Sequence, residues 1–170
     1  MQKTSRLIII ALFGSVMFIT RFFVPPPISS LLIAVDAILL ALSALFVKSL
    51  GATYVAVVGG VLTGLSRPSL IPFSIIYLSF FGVLVDGFLF ALKVRGTNEG
   101  VNRNRLMIAM AAATMIIGFL TYYISTVFPQ IVVQNQVLDM MVAFMGPATG
   151  ATAGYAAAFL WNKYLRNIPL

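Results

Sequence analysis

Apolar runs of helix length, broken by short clusters of proline, glycine and charge, dominate the pattern along the chain. Residues 7–24 are apolar apart from Thr20 and Arg21, follow Lys3 and Arg6, and stop at Pro25-Pro26-Pro27, where a helix cannot continue. No small-residue cleavage site follows a short core there, so this run is expected to remain as span one rather than leave as a signal peptide. Residues 31–47 predict span two, Lys48-Ser49-Leu50 a tight connection, and 51–65 a shorter, glycine-rich span three. Residues 66–72, with Arg67, Pro68 and Pro72, break the pattern, and 73–92 predict span four. The long polar stretch 93–105, with Gly96, Gly100 and four basic residues, reads as the main hydrophilic loop. Spans five and six fall at 106–128 and 139–161, separated by a loop at 129–138 that contains Gln130, Gln134, Asn135 and Gln136. The expectation is a single all-α domain over 1–170, a polytopic membrane protein of six helices with no soluble domain.

Composition agrees with that pattern. The chain has 170 residues, of which 61% are hydrophobic and 9% charged, with a mean hydropathy of +1.04, whereas a soluble domain is about 45–50% apolar. Cysteine and histidine are both absent. That excludes disulfides, thiolate or imidazole metal sites and the Ser-His-Asp or Cys-His catalytic sets. No Gly-x-x-x-x-Gly-Lys-Ser/Thr run occurs, so the chain carries no P-loop of its own. The net charge of +7 could suggest nucleic acid, but the basic residues fall where a membrane topology puts them. With both termini in the cytoplasm, Lys3, Arg6, Lys48, Lys93, Arg95, Arg103, Arg105, Lys163 and Arg166 lie inside, and only Arg21 and Arg67 outside. A nucleic-acid partner is not expected. Trp161 and Tyr164 read as an aromatic anchor at the inner interface.

Small residues mark where helices approach closely, because membrane helices associate by packing and a few hydrogen bonds. Gly146, Gly150, Gly154 and Ala158 recur every four residues in span six, as do Gly60 and Gly64 in span three, and both ridges predict internal packing. Ala11, Gly14 and Ser15 form a smaller patch in span one that either packs inside or meets a separate partner.

Ionisable side chains within spans are costly and mark candidate sites. Arg21 and Arg67 both point to the outer side, where they either clamp a carboxylate or phosphate or snorkel to lipid headgroups. Asp36 could pair with Arg21 or accept hydrogen bonds from a ligand amine. Asp86 is expected to reach Lys48 or Lys93 as a structural anchor, and Asp139 to suit the N-terminus of span six. Tyr77, Tyr122 and Tyr123 lie toward the same outer end beside Gln134 and Asn135, as pocket walls for a flat ligand or as an interfacial belt. The proline-rich stretch 25–30 is either a lid over such a pocket or a rigid turn.

The layout of the whole chain resembles the substrate-binding S components of energy-coupling factor transporters, a class of vitamin importers. The resemblance lies in the basic N-terminus followed by Leu7-Ile8-Ile9-Ile10-Ala11-Leu12 and the proline-bearing first outer loop. It extends to Val47-Lys48-Ser49-Leu50-Gly51-Ala52 and to Phe81-Gly82-Val83-Leu84-Val85-Asp86-Gly87 before a basic inner loop. It implies a ligand bound in the outer half under the loops at 25–30, 66–72 and 129–138. It also implies docking of span one, through Ala11 and Ser15 with Gly14 beside them, on a transmembrane coupling subunit driven by two ATPase subunits. The run 48–65 is most similar to the branch associated with thiamine or its hydroxymethylpyrimidine precursor, although glutamates carried by members of that branch in span three are replaced here by apolar and small residues from Val55 to Leu65. The resemblance implies plasma-membrane uptake, no cofactor and no enzymatic activity.

Other readings stand beside it. A free-standing channel or secondary carrier should show inverted repeats or polar midplane residues, and residues 1–85 and 86–170 show no convincing repeat. An intramembrane enzyme needs paired acids or a nucleophile with a base, whereas Asp36 and Asp86 lie toward opposite faces. A structural membrane subunit without a ligand fits the small-residue ridges.

Overall fold

A computed structural model of the chain describes residues 3–23, 33–47, 49–66, 71–97, 99–127 and 136–166. Lys48, Arg67, Gln134, Asn135 and the stretch 25–30 lie outside the described residues. The structure is all-helical, with α1 (Lys3–Phe23), α2 (Ile33–Val47), α3 (Gly51–Ser66), α4 (Ile71–Ala91), α5 (Arg103–Val127) and α6 (Gln136–Leu160), the last continuing into a π-helical turn at Trp161–Leu165. Each expected apolar run is a helix. Several begin two to four residues before the apolar run because polar residues such as Lys3 and Arg103 extend the first turn. Three helices, α1, α4 and α5, are long and apolar enough to cross a membrane. At 15 and 16 residues, α2 and α3 reach only about 22–24 Å, short of a hydrocarbon core of about 30 Å.

The short helix α2 is the centre of the bundle. It packs against each of the other five helices, which succeed one another around it in the order α1, α3, α4, α5, α6. Its Ala37, Leu40, Ala41, Leu42, Leu45 and Phe46 are all buried. Between α1 and α6 the ring stays open, leaving an apolar groove of about 530 Å³ in which Leu12 and Phe13 face Leu160 and Leu165 over Leu42 and Phe46.

Small residues set the closest approaches, as the ridges predict. A side-chain carbon on Gly150 would overlap the Thr114 hydroxyl and the Met110 carbonyl, and one on Gly154 would lie 2.9 Å from the Met107 Cα. The same seam carries a hydrogen bond between helices, from the Thr114 hydroxyl to the Gly146 carbonyl at 2.8 Å. Gly60 fits against α4 at Ile75 and Leu78. Gly14 is buried against Val58 and Gly59 of α3, while Ala11 and Ser15 stay exposed, so the structure divides the span-one patch between an inner and an outer face.

Asp86 is an anchor, and among the described residues its partners are on α3 rather than the expected Lys93; Lys48 lies outside the described residues. Its carboxylate accepts hydrogen bonds from the backbone N–H groups of Ala52 (3.3 Å) and Thr53 (2.8 Å) and from the Thr53 hydroxyl (2.7 Å). It thus caps α3 from a neighbouring helix, an interaction worth about 1 kcal/mol; the orphan amides of a helix start compete well for a carboxylate.

The hydrophilic loop after α4 also departs from expectation. α4 ends in a Schellman turn, with Val94 N–H on the Leu89 carbonyl (2.8 Å), Lys93 N–H on the Phe90 carbonyl (3.1 Å), and Lys93 itself at φ 53°. The connection then folds across the end of the bundle, burying Val94, Gly96 and Val101. Trp161 holds it there: its indole N–H points to the Thr97 carbonyl at 3.4 Å, and its ring meets Phe46 edge-on at 4.9 Å. Only 4% of Trp161 is exposed, so it is a core residue rather than an interfacial anchor; Tyr164, 59% exposed, keeps the outward position.

Candidate functional site

At the end of the bundle opposite the described chain ends, polar groups from four helices converge. Arg21 in the last turn of α1 donates through Nε (2.8 Å) and a terminal nitrogen (2.6 Å) to the same carboxylate oxygen, Oδ2 of Asp36 in the first turn of α2. The two residues flank the α1–α2 connection, so the pair ties the helix ends together. Asp36 is fully buried, and its other oxygen, Oδ1, accepts no hydrogen bond from the described residues. A buried carboxylate needs both oxygens satisfied to offset the loss of water. Here one oxygen carries the arginine and the other keeps its capacity to accept.

Tyr77 of α4 extends the cluster. The Arg21 guanidinium lies 5.8 Å from the centre of its ring, with Thr121 of α5 close to its phenol. The Thr121 proton is already committed to the Ile117 carbonyl at 2.7 Å. Asp36, Arg21, Tyr77 and Thr121 thus bring α2, α1, α4 and α5 together at this end, with the guanidinium held on the carboxylate beside the Tyr77 ring.

The remaining expected site residues fall into two groups. Tyr122 is buried, whereas Tyr123 is half exposed and meets it edge-on at 5.7 Å, so the adjacent tyrosines point to different environments. Asp139 lies in the first turn of α6, where a carboxylate suits the helix dipole, and its buried Oδ1 likewise accepts nothing from the described residues. Arg67, Gln134 and Asn135 lie outside the described residues.

Thr121 is the member that sequence reasoning passed over. Its signal was available as spacing: Leu106, Met110, Ala113, Ile117 and Thr121 recur at three- and four-residue steps, the face that α5 turns inward. Chemically, the cluster offers one unspent carboxylate oxygen, a charged planar donor and an aromatic face. Among the described residues, no group of three or more acidic side chains could hold a metal ion. The chain matches no known protein-family model, and no curated protein or solved structure shows significant similarity to it.

Proposed function

We propose that the chain is a six-span protein of the cell membrane, with both termini cytoplasmic, that captures a small ligand at the outer end of its bundle. In this reading it is the substrate-specific S component of an energy-coupling factor importer, binding a vitamin or vitamin precursor of the thiamine-related kind. A transmembrane coupling subunit and two ATPase subunits then drive release inward. The observation that carries the reading is the buried Asp36 Oδ1, which accepts no hydrogen bond from the described residues although its partner oxygen is fixed by Arg21. An amine or aminopyrimidine donor would satisfy it, with the Tyr77 ring and Arg21 flanking a flat ligand. The distribution of basic residues along the sequence, nine in the segments this topology puts inside and two in those it puts outside, supports the orientation. The outward Ala11 and Ser15 on α1, the least buried of the three long apolar helices, support docking on a membrane partner through that face.

The test is thermal unfolding of the purified, detergent-solubilised protein against a panel of vitamins and their precursors. Binding raises stability by about 2.7 kcal/mol at a hundredfold excess over Kd. The reading expects one compound class to shift the melt, and the shift to vanish in Asp36→Asn. A folded protein that no compound shifts, and that co-purifies with other membrane subunits, favours a structural subunit.

A further inference from the structure

At the opposite end of the bundle, a cleft of about 430 Å³ lies between the start of α5 and the end of α6, lined by Arg103, Phe159, Asn162, Lys163 and Arg166. Three of these five residues are cations, and no carboxylate among the described residues forms an ion pair with any of them. The chain has only four acids. Asp36 pairs with Arg21, Asp86 caps α3, Asp139 lies at the far end of α6, and Glu99, on the neighbouring connection, makes no ion pair among the described residues.

Aromatic rings, rather than carboxylates, hold two of these cations, Arg103 and Lys163, in place. The Arg103 guanidinium sits 4.0 Å from the centre of the Tyr155 ring. The Lys163 ammonium lies 5.2 Å from both the Phe159 and Tyr164 rings. Stacking uses the face of a guanidinium and leaves its in-plane N–H donors directed outward, in the geometry that suits two oxygens of one phosphate. Asn162 braces the site from behind, accepting from Val101 N–H at 2.7 Å and donating to the Val101 carbonyl at 3.2 Å.

What adjoins the cleft decides the kind of ligand. Phe159, Lys163 and Arg166 follow at helical spacing, and the same face of α6 continues away from the cleft through Tyr155, Ala148 and Phe144, all exposed. A cationic cleft that opens onto an exposed apolar stripe of one helix fits an amphiphile with a negatively charged head. We infer that this cleft binds the phosphate headgroup of an anionic phospholipid, with its acyl chains along the Phe144–Phe159 face of α6. The inference rests on the apolar helices and this cleft alone, and is independent of any ligand at the Arg21–Asp36 end.

The test is native mass spectrometry of the full chain in detergent, titrated with phosphatidylglycerol or with phosphatidylcholine of the same acyl chains. Each basic residue near an anionic surface contributes about a factor of five. The combined variant Arg103→Gln/Lys163→Gln/Arg166→Gln should therefore bind phosphatidylglycerol about a hundredfold more weakly, while Lys93→Gln/Arg95→Gln, on the α4 side, should bind it nearly as the wild type does. Equal binding of both lipids by the wild type overturns the proposal without any variant, as does a folded triple variant that still prefers phosphatidylglycerol. Displacement of the lipid by millimolar inorganic phosphate, with the same loss in the triple variant, would identify free phosphate as the ligand and overturn the lipid assignment. If the triple variant fails to fold, the single variants Lys163→Gln and Arg166→Gln should each lower affinity about fivefold, and no change in either refutes it.

Discussion

Replacing Arg21 by methionine strips the buried Asp36 of both charge-assisted hydrogen bonds at once, since the 2.8 Å and 2.6 Å contacts end on the same oxygen. Asp36 has no exposed surface with which to recover water, and its other oxygen has no partner among the described residues. Removing one member of a buried pair costs about 3–5 kcal/mol, whereas replacing both by apolar groups of similar size is close to neutral. The converse single change, Asp36→Leu, should cost less, because the Arg21 side chain is 22% exposed and can turn its head toward water or lipid headgroups. The expected order of stability is therefore wild type and Arg21→Met/Asp36→Leu together, then Asp36→Leu, then Arg21→Met. For a chain of this size about 1 kcal/mol corresponds to about 2–4 °C in Tm, so Arg21→Met should melt about 10 °C lower. Fluorescence-detected unfolding in one detergent, completed as a double-mutant cycle, reads all four proteins. A drop of less than about 2 °C for Arg21→Met, or a double variant as unstable as that single one, would show that the pair is solvated and would remove the physical basis of the site.

Gly150→Ala should destabilise the α5–α6 seam by about 1–3 kcal/mol, because the added methyl group would overlap the Thr114 hydroxyl and Met110 carbonyl; a Tm equal to wild type would contradict that packing. Lys93→Gly should raise stability by about 1 kcal/mol, since the Schellman turn holds Lys93 at φ 53°, a region that glycine occupies without penalty; a lower Tm would refute the turn. The absence of native cysteine allows topology to be read by single substitutions. Gln134→Cys should react with an impermeant maleimide in intact cells and Thr97→Cys only after permeabilisation, and the reverse pattern would invert the proposed orientation.

All six helices were legible because proline, glycine and charge interrupt the apolar runs, and the glycine ridge of α6 was legible because its four-residue repeat has few other uses. Which faces turn inward was less so. A helix such as α4 is apolar on nearly every side, so hydrophobic periodicity does not orient it. Thr121 could be placed only once α5 was set against α4. Stretch 93–105 was misread because its charges dominate the sequence, although Val94, Gly96 and Val101 fold beneath the bundle. Trp161, placed by sequence at the membrane interface, is buried because that same loop covers it. The pairing of Arg21 with Asp36 was one of two readings available from sequence, since they fall at the facing ends of consecutive helices. That Tyr77 and Thr121 lie beside them required the fold.

The claim that the Arg21–Asp36 end captures a small molecule is tested most directly by equilibrium binding. The compound that best stabilises the wild type should be measured against the wild type and the Arg21→Met/Asp36→Leu double variant, whose near-native melt shows that it is folded. The account predicts one ligand per chain for the wild type and loss of binding in the double variant. Equal binding by both proteins would contradict it.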